Sequence, residues 1–250
     1  MSLSKRCVLA TMSLVLAFAS VPRHNLPAKE VGVLTPNYRP YHPAVPYPGS
    51  LLHPVQSQSP DDLSAGKLLV ASRTLADPNF AETVVLLVHY DADGVVGLIL
   101  NRRTDVPLSQ ALEQLEAAKD RSDPVYLGGP VETEGVLALL GSAAKLDGAE
   151  QVCSGLYLIT TKTAFEKAIS SRPDPSIFRV YVGYAGWNND QLRKEVQRGS
   201  WFIFQGDIQT VFDSHPGSLW RQLIQKTELK LAATDPHPLD RFDPQRELRR

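Results

Sequence analysis

Hydrophobic residues concentrate in residues 66–104, where their pattern predicts three consecutive β-strands. The apolar runs are residues 67–72, 83–89 and 95–100. The second run shows no alternation of apolar and polar positions, which indicates a strand covered on both faces. An Asp-Ala-Asp-Gly sequence ending at Gly94 separates the second and third runs and favours a tight hairpin turn. We therefore place these strands at the centre of a sheet.

Downstream of residue 104 the pattern changes repeatedly between short apolar runs and amphipathic stretches. The apolar runs predict strands at residues 125–127, 135–140, 155–160, 178–185 and 200–205. The amphipathic stretches predict helices at residues 108–118, 163–170, 190–198 and 217–232, with a short helical turn at 208–212. Thr161, Asn188 or Asn189, and Asp207 stand where helix N-caps are expected. This mixture predicts a single α/β domain of the α+β type.

The first 63 residues differ in composition from the rest of the chain. Residues 1–19 combine a cationic start, Lys5 and Arg6, with an apolar core and small residues at the end, as secretory signal peptides do. The apolar core is too short to span a bilayer comfortably. Residues 20–63 are rich in proline, which favours an extended linker. We expect a secreted or periplasmic protein; an uncleaved anchor, a misassigned start and an N-terminal helix of the domain are the alternatives.

Residues 64–232 form the predicted globular domain, and residues 233–250 form a charged tail of mixed sign. A net charge of −1 offers no basic field for nucleic acid. With only Cys7 and Cys153 the chain cannot build a disulfide framework; Cys153 is expected to be buried, with a reactive thiol as the alternative. Phosphate-binding glycine loops, zinc motifs and nucleophile elbows do not occur in the sequence. We therefore expect no cofactor, no metal and no membrane span beyond the signal-like segment. The oligomeric state stays open.

Three motifs in the same order resemble the YqgE/AlgH family. They are a D-P-x-F turn followed by G-L-x-L-N-R within residues 76–104, L-G-G-P-V within 125–131, and A-G-W-x-x-x-Q-L within 184–192. The resemblance implies a mixed, partly barrel-like sheet flanked by helices, and a family of unsettled biochemical function. Some members carry the label of transcriptional regulator, and the family is usually placed in the cytoplasm. Arg103 stands where the family commonly has proline, and Asn188, Asn189 and Asp190 also depart from its pattern.

Polar and glycine residues of these motifs lie at predicted strand exits and strand-to-helix turns, where mixed sheets place ligands. We expect them to line one pocket, in which Arg102 pairs with an anion. The candidate binding residues are Asn101, Arg102, Thr104, Gly128, Gly129, Trp187 and Gln191. The alternative for each of them is a turn, surface or core role.

These observations favour a non-catalytic binding or regulatory module, with a small anion or a protein as its partner. Two alternatives stay open. One is a hydrolase-like enzyme that uses Asp213, His215 and a serine, since a catalytic triad assembles in space rather than in sequence. The other is a structural or partner-binding envelope protein, tethered by the proline-rich segment.

Overall fold

The computed structural model describes residues 57–234, with side chains described as far as Thr227. The predicted signal-like segment, most of the proline-rich linker and nearly all of the charged tail lie outside this range. Within it, Leu63 is buried and Ser57 forms an isolated β-bridge with Ile203. The packed unit therefore begins several residues before residue 64, inside the stretch that composition assigns to the linker.

Ten strands of the described chain form one curled, half-barrel sheet. The strands are β1 Lys67–Ala71, β2 Val84–Asp91, β3 Gly94–Ile99, β4 Arg103–Pro107, β5 Pro124–Leu127, β6 Val131–Gly141, β7 Ala149–Cys153, β8 Leu156–Ile159, β9 Phe178–Trp187 and β10 Trp201–Gln205. The helices are α1 Leu108–Ala111, α2 Lys162–Ser170, α3 Asn189–Gln197, α4 Ile208–Val211 and α5 Pro216–Thr234. Short 3₁₀ turns occur at Pro60–Asp62 and Glu116–Ala118.

The sheet runs in the order β10-β1-β2-β3-β9-β6-β8-β7, with antiparallel neighbours along this path. A parallel pairing joins β5 to β9, and β4 pairs with β5. Strand β9 is the junction of the sheet, because it contacts β6, β5 and β3. This confirms the predicted α/β domain with a partly barrel-like sheet and flanking helices.

Apolar side chains pack on both sides of the sheet. One cluster combines β1, β2, β3 and β10 with α3 and α5, and its largest fully buried side chain is Trp201. The other lies beneath α2, where Phe165 faces Phe178. All five residues from Val84 to Val88 are buried, which confirms that β2 is covered on both faces.

The predicted helix at residues 108–118 is wrong. Helix α1 ends at Ala111, and a separate 3₁₀ turn follows at Glu116–Ala118. The chain folds back because Leu108 and Ser109 donate their N–H groups to the carbonyls of Asp123 and Arg121. The periodic leucines still face the core, but from two short turns. Local periodicity alone does not reveal such long-range backbone pairing.

Strands β4 and β7 are absent from the sequence-based prediction. Strand β4 is short, mostly exposed and ends in proline, and β7 is mostly polar at the end of the sheet. The predicted N-caps are confirmed at Thr161, Asp207 and Asn188, whose side chains accept backbone N–H groups three residues ahead. Among the described residues, none of the helices combines the length and apolarity that crossing a bilayer requires.

Candidate functional site

Asn101, Arg102 and Thr104 hold backbone segments together. The Asn101 Oδ1 accepts the N–H of Val84 at 2.9 Å, and its Nδ2 donates to the carbonyl of Glu82 at 2.8 Å. Arg102 Nη2 donates to a backbone carbonyl, that of Pro78, at 3.2 Å, and partial burial lowers the pKa of the Arg102 guanidinium. Thr104 donates to the carbonyl of Val125 at 2.8 Å. These contacts fix the entry to β2 and the pairing of β4 with β5.

Gly128 and Gly129 allow strands to cross closely at the junction. The Gly128 N–H donates to Val182 and its carbonyl accepts the N–H of Ile99, each at 2.9 Å. A Cβ atom on Gly128 would lie 2.2 Å from the carbonyl oxygen of Gly183. One on Gly129 would meet the backbone of Tyr184 at the same distance. A side chain at either position would collide with neighbouring backbone atoms, so both positions require glycine.

Trp187 and Gln191 meet at Glu195, a residue that the sequence analysis did not single out. The indole N–H groups of Trp187 and Trp201 donate to Glu195 Oε2 at 3.1 and 2.9 Å. Gln191 Nε2 donates to the other carboxylate oxygen at 3.0 Å. Phe80 stacks on Trp187 with ring centroids 5.4 Å apart. The spacing from Gln191 to Glu195, one helical turn, is the signal that could have placed the two side chains together.

A surface recess lies beside Trp187, and we call it the Gly186 groove. Its volume is about 390 Å³, and its lining includes Val96, Val131, Tyr184, Gly186 and Gln191. Gly186 is exposed, and a Cβ atom there would stand 3.5 Å from the Tyr184 ring and 3.8 Å from Val131. The missing side chain of Gly186 therefore leaves open space between apolar walls.

One acidic residue lines the Gly186 groove, and two more contact residues of its lining. Asp93 lines it directly, His89 Nε2 lies 2.8 Å from Asp91 Oδ2, and the Tyr184 hydroxyl donates to Glu132 at 3.3 Å. The backbone N–H of Asp93 holds the pKa of Asp91 below its ordinary value, aided by His89. Partial burial and the adjacent Glu132 raise the pKa of Tyr184. The rim thus favours a partner that is positively charged or donates hydrogen bonds.

The structure divides the single pocket that the sequence predicts. Of the seven candidate residues, Trp187 and Gln191 line the Gly186 groove. Asn101, Arg102 and Thr104 are engaged in backbone hydrogen bonds, and Gly128 and Gly129 lie inside the strand junction. The seven residues therefore do not line one pocket, and the hydrogen bonds described for Asn101, Arg102 and Thr104 all join backbone groups of the chain.

Comparison with known proteins assigns this chain to a family. The sequence model described as AlgH-like matches residues 68–232, well over half of the chain. The chain belongs to the AlgH-like family. This confirms the resemblance carried by the three sequence motifs. Family membership by itself establishes neither a catalytic nor a regulatory function.

Curated relatives and solved structures agree with this placement. A UPF0301 protein from Streptomyces avermitilis is 36% identical over 182 residues, covering 68% of this chain and 91% of the relative. The UPF0301 protein CT0663 from Chlorobaculum tepidum is 32% identical, covering 65% and 86%. The solution structure of the AlgH protein from Pseudomonas aeruginosa, at 29% identity, covers 69% and 95% with a TM-score of 0.54. Protein DIP2367 from Corynebacterium diphtheriae, at 22% identity, covers 71% and 90% with a TM-score of 0.57 and shows the shared fold.

The Asp213 and His215 pair of this AlgH-like domain lacks the hydrogen bonds of a catalytic triad. Asp213 Oδ1 accepts the backbone N–H of His215 rather than its imidazole. The Ser214 hydroxyl lies 2.9 Å from His215 Nδ1, and both side chains are exposed. This arrangement orders the turn before α5 and gives the hydrolase alternative no geometric support. Within residues 57–234, no cluster of three or more His, Cys, Asp or Glu side chains is placed to hold a metal ion.

Proposed function

We propose that this AlgH-like domain is a non-catalytic binding module and that its ligand occupies the Gly186 groove. The observation that carries the proposal is the recess that Gly186 leaves between Val96, Val131 and Tyr184. Its volume of about 390 Å³ lies within the range of small-molecule sites. Apolar walls with a few polar groups at the rim are the composition expected of such a site.

The proposed ligand has an apolar or aromatic body and a cationic end. Val96, Val131 and the Tyr184 ring would contact the body. Asp93 on the lining, and Asp91 and Glu132 behind His89 and Tyr184, supply negative charge at the rim. An anion of the same shape would be repelled by these carboxylates.

Three molecules of nearly the same shape test this chemistry: tyramine, which is a cation; tyrosol, which is neutral; and 3-(4-hydroxyphenyl)propionate, which is an anion. Titrations followed by the backbone amide signals of the full chain compare their affinities at one ionic strength. We expect tyramine to bind most tightly and the propionate most weakly, with shifts centred on Gly186 and Gln191. Equal responses to all three would contradict the proposed rim electrostatics.

A groove-filling variant separates specific binding from general contact with the surface. Gly186→Val places methyl groups in the recess while keeping strand geometry, since its Cβ makes only ordinary contacts. Gly217→Val is the matched control, because a Cβ at Gly217 meets nothing within 4 Å. The proposal requires Gly186→Val to abolish tyramine binding and Gly217→Val to preserve it.

We also propose that the chain is exported and that its ligand is met outside the cytoplasm. The cationic start, apolar core and small residues of residues 1–19 support this. N-terminal sequencing of the mature protein, combined with cell fractionation, tests it. A mature chain that starts near residue 20 in an exported fraction is expected. An intact residue 1 on cytoplasmic protein would contradict export and would leave the groove proposal unaffected.

A further inference from the structure

A second recess lies at the starts of β4, β5 and β9, and we call it the Arg103 cavity. Its volume is about 240 Å³. The groups on its lining that bear on a ligand are Arg103, Asp123, Tyr126, Ser176, Arg179 and Ser214. It shares none of these residues with the Gly186 groove. Two of them are arginines, which distinguishes this recess from the acidic groove.

Arg179 is a buried cation whose hydrogen bonds and ring contacts within the described chain are all with neutral groups. Only 6% of the surface of Arg179 is exposed to solvent. Nη1 donates to the carbonyl of Val211 at 2.9 Å, and Nη2 donates to the carbonyl of Asp213. The guanidinium also lies 4.8 Å from the Tyr126 ring centroid and 5.8 Å from that of Phe212. In the described part of the chain no carboxylate forms an ion pair with it, and an unpaired buried charge is unfavourable.

Arg103 brings a second positive charge to the same cavity. It is exposed, and its side chain forms no hydrogen bond, ion pair or ring contact within residues 57–234. Arg103 pairs with Tyr126 in the β4–β5 ladder, so the two residues lie directly opposite each other on neighbouring strands. A free guanidinium at the entrance can donate two parallel hydrogen bonds to a carboxylate or phosphate.

The acidic groups near the cavity are already engaged. Asp123 is held by Arg121, whose Nε lies 3.0 Å from both carboxylate oxygens and whose Nη2 lies 2.5 Å from Oδ2. Asp174 accepts the N–H of Ser176 at 2.8 Å, and hydrogen bonds from Ser176 lower the pKa of Asp174. Asp213 accepts the N–H of His215. Of these carboxylates Asp123 is paired with a cation, and none of the three forms an ion pair with Arg103 or Arg179 in the described chain.

We infer that the Arg103 cavity binds a small oxyanion, a carboxylate or phosphate, with Arg103 as the recognition residue and Arg179 as the buried positive charge behind it. The Ser214 hydroxyl lies on the same lining and can donate a hydrogen bond to the anion while it accepts one from His215 Nδ1. Tyr126 and Phe178 supply aromatic walls for an apolar body attached to it. This site is independent of the proposed function of the Gly186 groove.

The test uses the full chain with two anionic probes, inorganic phosphate and benzoate, and with benzamide as the neutral counterpart of benzoate. Backbone amide signals are followed at low, constant ionic strength, because salt screens exposed charges such as that of Arg103. We expect benzoate or phosphate to shift the signals of Arg103, Tyr126 and Ser214, while benzamide does not. Equal shifts with benzoate and benzamide, or shifts no larger than those caused by chloride, would overturn the inference.

Substitutions at Arg103 identify the recognition group without disturbing the core. Arg103→Gln is expected to weaken binding of the active probe by about tenfold or more, as loss of a charge-assisted hydrogen-bond pair implies. Arg103→Lys should recover part of the affinity, since it keeps the charge and loses the planar fork. Arg198→Gln, on an exposed arginine at the end of α3, is the matched control and should bind as the parent does. Equal affinities for Arg103→Gln and Arg198→Gln would contradict the assignment.

Discussion

Trp187 and Trp201 donate their indole N–H groups to one carboxylate oxygen, Glu195 Oε2, at 3.1 and 2.9 Å. Their rings meet edge to face with centroids 6.1 Å apart. One tryptophan ends β9 and the other begins β10, so Glu195 on α3 joins two strands that are far apart in the sheet order. The carboxylate thereby fixes the wall of the Gly186 groove from behind.

Removing this carboxylate should destabilise the fold. Glu195→Ala leaves two mostly buried indole N–H groups without an acceptor, and we expect a loss of about 3 kcal/mol in the free energy of unfolding. Urea denaturation followed by tryptophan fluorescence measures it. Glu113→Ala, at an exposed position, is the control and should change stability by less than about 0.5 kcal/mol. Similar losses in both variants would contradict the role of Glu195.

Asn101 is assigned a structural rather than a ligand-binding role. In Asn101→Ala the buried Val84 N–H loses its acceptor, so the free energy of unfolding should fall by about 1–3 kcal/mol. Asn79→Ala, on the exposed turn nearby, should be close to neutral. Tyramine titration of the folded Asn101→Ala variant should match that of the parent. A weakened tyramine response with unchanged stability would show that Asn101 contributes to ligand binding instead.

Gly128 tests the close crossing at the strand junction. Gly128→Ala forces a Cβ atom to within 2.2 Å of the Gly183 carbonyl oxygen, so backbone must move. We expect a loss of about 2–3 kcal/mol or more in the free energy of unfolding, measured by urea denaturation. Gly217→Ala, where the added atom meets nothing, should be as stable as the parent or, because alanine favours a helix, up to about 1 kcal/mol more stable. Equal stability of the two variants would contradict the assigned crossing.

Tyr181 makes stability depend on alkaline pH. Its side chain is fully buried and its hydroxyl has no hydrogen-bond partner in the described chain, and burial raises its pKa above the ordinary value. Above about pH 10 the unfolded chain releases this proton while the folded chain keeps it, so stability falls as the pH rises.

In Tyr181→Phe this source of pH dependence is absent. The variant should be as stable as the parent or slightly more stable at neutral pH, because an unpaired buried hydroxyl is removed. Above about pH 10 its stability should fall less steeply, by about 1.4 kcal/mol per pH unit. Urea denaturation of both proteins between pH 8 and about 11 checks this. Parallel pH profiles would show that Tyr181 ionises as readily in the folded chain as in the unfolded one.

Local patterns predicted the elements whose signals lie within a few residues. The continuous apolar run of β2, the hairpin before β3, and the caps of α2, α3 and α4 are of this kind. The long helix after residue 108 was wrong because backbone pairing with residues 121 and 123 overrides its periodicity. Short, exposed or polar strands such as β4 and β7 gain their structure from neighbours distant in sequence.

The candidate site shows the same division. Trp187 and Gln191 were found because they stand in one motif, and both line the Gly186 groove. Arg179 and Glu195 were missed, because a single charged residue in a strand or helix carries no local sign of its burial or partners. Asn101 and Arg102 were predicted to contact a ligand, but their side chains form hydrogen bonds with backbone groups. A polar residue at a strand exit can do either.

The most direct test of the binding proposal is an intermolecular NOE experiment on the full chain with tyramine. We expect contacts between the tyramine ring protons and the side chains of Val96, Val131 and Tyr184, and their loss in Gly186→Val. Gly217→Val should retain them. NOEs that persist in Gly186→Val, or that arise only from residues outside the Gly186 groove, would contradict ligand binding in this groove.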